Sequence, residues 1–246
     1  MKFVLLSTLF LSSFTALAEP TRIIGEDTRV KITDQKAKEI HNSIGMLIMT
    51  FGKGQGMCTG TVVSDRNVLT AAHCLYKHGY GMADKVIFVP GLRNVLPVEK
   101  LPYGVFSATK LRVISKYINS QKQSDDLGLV TFAENLPVKA AKMREANSND
   151  KQIVIAGYAG DKPDGELWEG RGKRFAHFIE KNPDSYDVDT FSGQSGSTIR
   201  VTGGEENVVI GVHSGARENL FYEYNVGFFF KKDTLATVKK WIQEDK

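Results

Sequence analysis

The chain has 246 residues, 41% of them hydrophobic and 24% charged, with 32 basic and 28 acidic side chains for a formal net charge of +4. That length suits one large β domain or two small lobes, and the apolar content is enough for a buried core. The charges are mild in balance and mixed along the chain, so the basic stripe that marks a nucleic-acid partner is absent. In chain order, the first twenty residues read MKFVLLSTLFLSSFTALAEP. Lys2, the apolar run from Phe3 to Leu11 and the small-residue ending Ala16-Leu17-Ala18 predict a secretory signal peptide over residues 1–18. Residues 19–22, EPTR, then form a short pro-segment, with Arg22–Ile23 as a processing bond. No later segment has the length of a membrane helix. The mature protein is therefore expected to be secreted or periplasmic, with no stable membrane anchor.

From residue 43 onward, short apolar runs alternate with Gly, Pro, Asn and Asp. IGMLIMTF, CTGTVVS, NVLTAA, KVIFVP, LRVISKY, LGLVTF, QIVIAGY, YDVDTF, GSTIRV, VVIGVHS and VGFFF all read as strands. GGEEN at 203–207 reads as a hairpin turn. The polar stretch Asn135 to Asp150 reads as a crossover between two lobes. Near the C-terminus, Asp233 is a plausible N-cap, and Leu235, Val238, Trp241 and Ile242 follow at helical spacing. Many short strands without alternating long helices predict an all-β barrel or sandwich carrying one terminal helix.

Three stretches carry candidate chemistry. In DTFSGQSGST, residues 189–198, Ser195 stands among glycines; it is either a nucleophile or one polar residue of a tight turn. A serine hydroxyl needs a base to take its proton. His73 follows the strand LTAA and by itself reads as a structural histidine. Asp126, at the head of LGLVTF, needs a hydrogen-bonding partner if it is buried, and a histidine N–H meets that need. Asp125 is its competitor for that role. Beside His73 stands Cys74, which with Cys58 makes the chain's two cysteines. Export favours a disulfide, which would contribute roughly 3 kcal/mol. Two cysteines could instead form a metal pair or leave a reactive thiol, and the lack of histidines at ligand spacing argues against zinc. No metal and no cofactor is expected.

Together, TAAHC, DLGLV and GQSGS, in the order His, Asp, Ser, resemble the trypsin-like two-barrel serine proteases over nearly the whole mature chain. The resemblance implies two packed six-stranded antiparallel β-barrels with a C-terminal helix. The protease domain would span 23–246, with a first barrel at about 23–135, a second at about 136–232 and the helix at 233–245. It implies a Cys58–Cys74 disulfide, His73 as general base, Asp126 as its orienting partner and Ser195 as nucleophile. Gly193 and Ser195 would supply the backbone N–H groups of an oxyanion hole. Within the family, IIGEDTRVKIT, IAGYAGDKPDGELW, DTFSGQSGS and GVHSG are similar to the glutamyl endopeptidase branch. Gln194 stands where the digestive enzymes carry the aspartate that pairs with a freed N-terminus.

That likeness implies a peptide or protein substrate cut after glutamate, then aspartate. His213 and Thr190 would contact the substrate carboxylate, and His213 more strongly when charged. The freed N-terminal amine would add positive charge there. Ser214, Gly215 and Ala216 would pair with the substrate backbone. Asp189 is the contrary sign, because a carboxylate there selects basic side chains in trypsin-type pockets. Two different protein classes fit the chain less well. A Gly-x-Ser-x-Gly hydrolase is disfavoured because residue 197 is serine and the triad order is reversed. A non-catalytic binding protein on a protease fold usually lacks a triad member, and this chain keeps all three.

Overall fold

The computed structural model describes residues 22–94, 97, 100–175, 185–202, 208–218 and 223–245. The expected signal peptide and the expected turn at 203–207 lie outside the described residues. Among the described residues, fifteen strands and three α-helices build two antiparallel barrels. A short strand β1 (Val30–Lys31) and helix α1 (Glu39–Ser43) precede the first barrel. That barrel comprises β2 (Ile44–Phe51), β3 (Gly54–Ser64), β4 (Asn67–Thr70), β7 (Lys85–Pro90), β8 (Phe106–Val113) and β9 (Gly128–Phe132), with a small β5–β6 pair (Tyr76–Lys77, Gly81–Met82) and helix α2 (Ser115–Ser120) on its connections. It closes in the order β2-β3-β4-β9-β8-β7. The second contains β10 (Gln152–Tyr158), β11 (Leu167–Phe175), β12 (Ser185–Tyr186), β13 (Thr198–Val201), β14 (Val209–Glu218) and β15 (Glu223–Phe229). Its ladder runs β11-β10-β13-β14-β15-β12 and closes through the β11–β12 pairing. Helix α3 (Lys232–Glu244) ends the described chain.

The unbroken apolar run of β2 has a physical cause. Successive side chains of a strand point to opposite faces. Leu47 and Met49 enter the large core that fills the first barrel. Ile44, Met46 and Ile48 enter a second core with Ala156, Tyr158 and Leu167 of the other barrel. Both faces are dry, so no polar alternation is needed. The second barrel is filled by Ile153, Ile155, Tyr186, Val188, Ile199, Ile210 and Phe229.

The connector at 135–150 does join the two barrels. Leu136 and Ala141 donate backbone bonds to Asp65 and Val62 of the first barrel, while Arg144 and Ala146 donate to Val209 and Phe230 of the second. Several expected elements shift. The run LRVISKY is divided: β8 ends at Val113, and Ser115–Ser120 turns into α2. Leu167–Phe175, too polar and glycine-rich to read as a strand, is β11, anchored by its ladder to β10. YDVDTF contributes only the last residue of β12. Helix α3 begins a turn's fraction earlier than expected. Lys231 is its N-cap, with its N–H bonded to Thr234 Oγ1, and Asp233 lies inside the first turn, where the helix dipole favours a negative charge.

The chain ends are crossed. β1 pairs with β11 of the second barrel, although it precedes the first in sequence. Helix α3 follows the second barrel but joins the core of the first through Leu235, Val238, Trp241 and Ile242. Asp245 latches it there. Its carboxylate accepts Thr131 Oγ1 at 2.7 Å and Asn67 Nδ2 at 3.0 Å, and pairs with Arg112. Burial works against the charge, but Arg112, Thr131 and Asn67 together hold the carboxyl at about 2. A depressed carboxyl stabilises the fold above its unfolded value and loses that contribution as pH falls through the folded one. Asp245→Ala should therefore cost about 1–3 kcal/mol near neutral pH. The gap to wild type should close as pH falls from about 4 toward 2. Urea unfolding across that range measures it, and a gap independent of pH would contradict the latch.

Candidate active site

His73 is set by its neighbours in sequence. β4 ends at Thr70, and Ala72–Cys74 form a 3-10 turn that carries His73 out of the barrel wall. Cys74 is tied to Cys58 on β3 by a disulfide with a Cα–Cα distance of 6.2 Å, which pins that turn from behind. Asp126 follows another 3-10 turn, Gln123–Asp125, and is 1% exposed. Its Oδ1 accepts the His73 backbone N–H at 2.8 Å, and its Oδ2 meets His73 Nδ1 at 2.7 Å. A buried carboxylate beside Nδ1 holds the proton on that nitrogen and leaves Nε2 as the basic one. Ser214 Oγ donates a third bond to Asp126 Oδ2. Ser214 can do so because the β14–β15 register slips between His213 and Gly215, leaving it outside the ladder. Asp125 points elsewhere, to Ser120 Oγ at 2.7 Å and Lys116 Nζ at 3.1 Å.

Ser195 lies in the turn before β13. Its carbonyl accepts the Thr59 N–H at 2.8 Å, and its buried hydroxyl has no hydrogen-bond partner among the described residues. Two glycines flank it with positive φ, Gly193 at 94° and Gly196 at 82°. A Cβ on Gly193 would lie 2.5 Å from Tyr158 O, and one on Gly196 would lie 2.1 Å from Thr70 Oγ1. The serine turn is thus pressed against both barrels, and on the first it meets the end of the strand that leads into His73. Among the described residues, no backbone carbonyl accepts the N–H of Gly193 or Ser195. Two adjacent unengaged donors are what an oxyanion would need.

Two buried polar side chains belong to the serine turn or bond to it: Thr190 precedes Ser195 by five residues, and the His213 backbone exchanges hydrogen bonds with Gly196 at 2.9 Å and Ser197 at 2.8 Å. His213 and Thr190 are both fully buried, and Thr190 Oγ1 and His213 Nε2 have no partner among the described residues. On its other side, His213 Nδ1 meets the Tyr186 hydroxyl at 2.5 Å, and that hydroxyl also donates to Val226 O at 2.9 Å. Burial, reinforced by nearby His73, pulls the His213 imidazole down to about 3. In the free protein His213 is held neutral, because burial outweighs the opposing pull of the Asp126 carboxylate and the Val226 carbonyl. The Tyr186 proton has one acceptor at a time. While it goes to Val226, Nδ1 carries the ring proton and Nε2 is left as an unprotonated acceptor.

Asp189 is not a free carboxylate. Its Oδ1 accepts Ile24 N–H at 2.8 Å, and its Oδ2 accepts Thr28 N–H at 2.9 Å and Thr28 Oγ1 at 2.6 Å. The Arg22 carbonyl is held by Thr190 N–H at 3.1 Å and Asn225 Nδ2 at 2.8 Å, so the expected processing bond lies beside the same residues. The edge of Ser214–Ala216 that faces away from β15 has no strand partner among the described residues, and an open edge accepts an extended peptide. The sequence reading missed two contributors, the Ser214 hydroxyl and Arg29. Arg29 is a buried guanidinium that donates to Gln194 Oε1 at 3.1 Å. Its only signal in sequence was a lone arginine next to a strand.

The Trypsin family matches residues 32–242. The chain belongs to the trypsin family. Glutamyl endopeptidase of Staphylococcus aureus strain MW2 is 30% identical over 203 residues, 78% of this chain and 55% of that protein. This trypsin-family chain therefore spans about half the length of that relative. A Bacillus subtilis protein named extracellular metalloprotease is 24% identical over 238 residues, 92% of this chain and 71% of its own. A solved structure of a Glu endopeptidase in complex with MPD superposes with a TM-score of 0.73 at 26% identity, covering 89% of this chain and 98% of that one.

The name of the Bacillus relative raises a metal centre, and the donor set here does not fit one. Among the described residues, the group of metal-ligating types is Cys58, His73 and Cys74. Its two sulfurs are bonded to each other, so neither is the thiolate that binds zinc. The disulfide spans a sequence separation of 16. Replacing Cys58 and Cys74 by serine should lower the unfolding free energy by about 3 kcal/mol. Guanidinium unfolding reads this directly, and a loss under about 1 kcal/mol would show that the histidine turn needs no pin.

Proposed function

We propose that this chain is a serine endopeptidase that hydrolyses peptide bonds through an acyl-enzyme. The observation that carries the reading is the Asp126 carboxylate bonded to both His73 nitrogens that face it, backbone and ring. In the proposed mechanism, His73 Nε2 removes the Ser195 proton as Oγ attacks the carbonyl carbon. The carbonyl oxygen becomes negative and is met by the N–H groups of Gly193 and Ser195. His73 then protonates the departing amine, and water repeats the cycle on the acyl-enzyme. Asp126 stays ionised and stabilises the imidazolium. The Ser214 hydroxyl supports that charge.

We read the preferred residue on the acyl side of the cut bond as glutamate, then aspartate. His213 Nε2 and Thr190 Oγ1 lie buried without partners among the described residues, and a substrate carboxylate would satisfy both. An incoming carboxylate would also draw a proton onto His213. The resulting imidazolium satisfies every neighbour: Nδ1–H to Tyr186, the Tyr186 proton to Val226 and Nε2–H to substrate. Selection of basic residues is disfavoured, since Asp189 has both oxygens engaged by the segment 24–28. Export by a signal peptide and a cut at Arg22–Ile23, which would free an amine beside Thr190, complete the proposal. It has a peptide or protein as substrate and calls for no cofactor.

Ser195→Ala and His73→Ala should each lower kcat by roughly four to six orders of magnitude, Ser195→Ala with melting unchanged, and Asp126→Asn by roughly four. Asp125→Asn serves as control and should stay within about threefold. Hydrolysis of a glutamyl amide measures all four, and substantial activity in Ser195→Ala would sink the mechanism.

Specificity is read separately, on peptides differing only in Glu, Asp, Gln, Lys or Arg at the cut. Glutamate should lead, and its advantage over glutamine should grow as pH falls from about 8 to 6, because binding takes up a proton. His213→Ala should cost about tenfold or more in kcat/KM on the glutamyl peptide. Faster cutting after lysine or arginine would return Asp189 to the pocket and refute the assignment.

A further inference from the structure

The serine turn is tied to a buried charge cluster that the mechanism above does not use. Arg29 sits just before β1, and its side chain is wholly buried. Its Nε and Nη2 donate to the two oxygens of Asp27, and its Nη1 and Nη2 to the two oxygens of Asp161. Lys162 adds a second cation, 2.7 Å from Asp27. Two cations and two carboxylates thus balance, and Arg29 has one direction left. Nη1 also donates to Gln194 Oε1 at 3.1 Å. That same oxygen accepts the Phe191 N–H at 2.9 Å, which closes the turn Phe191–Gln194 from inside. Gln194 is fully buried, so without Arg29 its amide oxygen would keep only that local bond. The turn is also tied by Gly160 N–H to Ser192 O at 2.7 Å, Thr59 Oγ1 to Gly193 O at 3.0 Å, Gln194 N–H to Phe191 O at 2.9 Å, Ser197 N–H to Gln194 O at 3.0 Å and Thr59 N–H to Ser195 O at 2.8 Å. Arg29 alone among these ties brings a formal charge, and it acts on the residue directly before Ser195.

Residues at the expected processing bond hold different ground. Arg22 contacts Asn225, Glu223 and Thr190, and Ile24 contacts Asp189. None of these partners lies between Phe191 and Ser195. We propose that Arg29 is a positioning residue that fixes the Gly193–Ser195 turn through Gln194, so that the turn is set by a cation within the folded body, whether or not the Arg22–Ile23 bond is cut. The proposal rests on the serine-protease reading above. A cut at Arg22 then acts on the proposed substrate pocket and leaves the oxyanion donors where they are. This divides two tasks, forming the turn and charging the pocket, between two parts of the N-terminal segment.

The test uses a neutral alkyl fluorophosphonate, which reports the reactivity of Ser195 and its oxyanion donors without needing a charged side chain in that pocket. Labelling rates are compared for the full mature wild type, Arg22→Ala, Arg29→Met and Gln194→Met, with mass spectrometry confirming that Arg22→Ala is uncut. Uncut Arg22→Ala should label within about fivefold of wild type. Arg29→Met and Gln194→Met should label more than about tenfold more slowly, and kcat on the glutamyl peptide should fall by as much while KM moves less than about threefold. Arg29→Met leaves Asp27 and Asp161 to share the single cation Lys162 and can fail to fold. Gln194→Met keeps those ion pairs and carries the test by itself. Wild-type labelling in Gln194→Met, or a more than about tenfold loss in uncut Arg22→Ala, overturns the proposal. A wild type that takes no label overturns the serine-protease reading, and this proposal with it.

Discussion

The arrangement depends on one buried carboxylate. Asp126 is nearly inaccessible, and an ionised group there is costly unless its lone pairs are filled. They are filled from two barrels at once: the His73 backbone and ring from the first, and the Ser214 hydroxyl from the second. Removing any one donor leaves the charge partly unsatisfied. The same bonds that make Asp126 tolerable therefore lock the imidazole orientation and the seam between the barrels.

The seam is reinforced by connectivity. β2 buries one face in each of two cores, the connector at 135–150 bonds to both barrels, and each end of the described chain is fastened to the barrel remote from it in sequence. Sliding one barrel over the other would break all of these together. Buried charges along the structure follow the rule set by Asp126. Glu169, penalised by burial, is held at about 2 by His41 and by Arg200 and Arg171. Arg29 is enclosed by Asp27 and Asp161.

Near Ser195, small rotations decide chemistry. Asp189, Thr190 and His213 are all buried. With Asp189 turned to the N-terminal segment, the groups left without partners among the described residues are a hydroxyl and an imidazole nitrogen. On the proposed reading, that hydroxyl and the imidazole, once protonated, would take an anion. Had the carboxylate turned inward, the same residues would suit a cation. No one-dimensional reading distinguishes the two, because both rotamers start from the same three letters.

The sequence by itself determined the class of fold and the residues of the candidate site. Unbroken apolar runs bounded by turn formers marked β2, β7 and β10 to the residue, and helical spacing marked α3 nearly so. The order of TAAHC, DLGLV and GQSGS singled out His73, Asp126 and Ser195, and the preference for Asp126 over Asp125 followed from its place against a strand. Only the tertiary structure decided the rest. β11 is polar and becomes a strand through its ladder partners; LRVISKY breaks because α2 must turn the chain back toward Asp126. Ser214 joins Asp126 through a register slip, Asp189 faces residues 24–28, His213 is kept neutral by burial, and Arg29 reaches Gln194 across 165 residues of chain. Each of these is a matter of which groups meet after the chain has crossed itself. Local propensity carries no information about contacts made at that distance, whereas the apolar run of a buried strand is written within a few neighbouring residues.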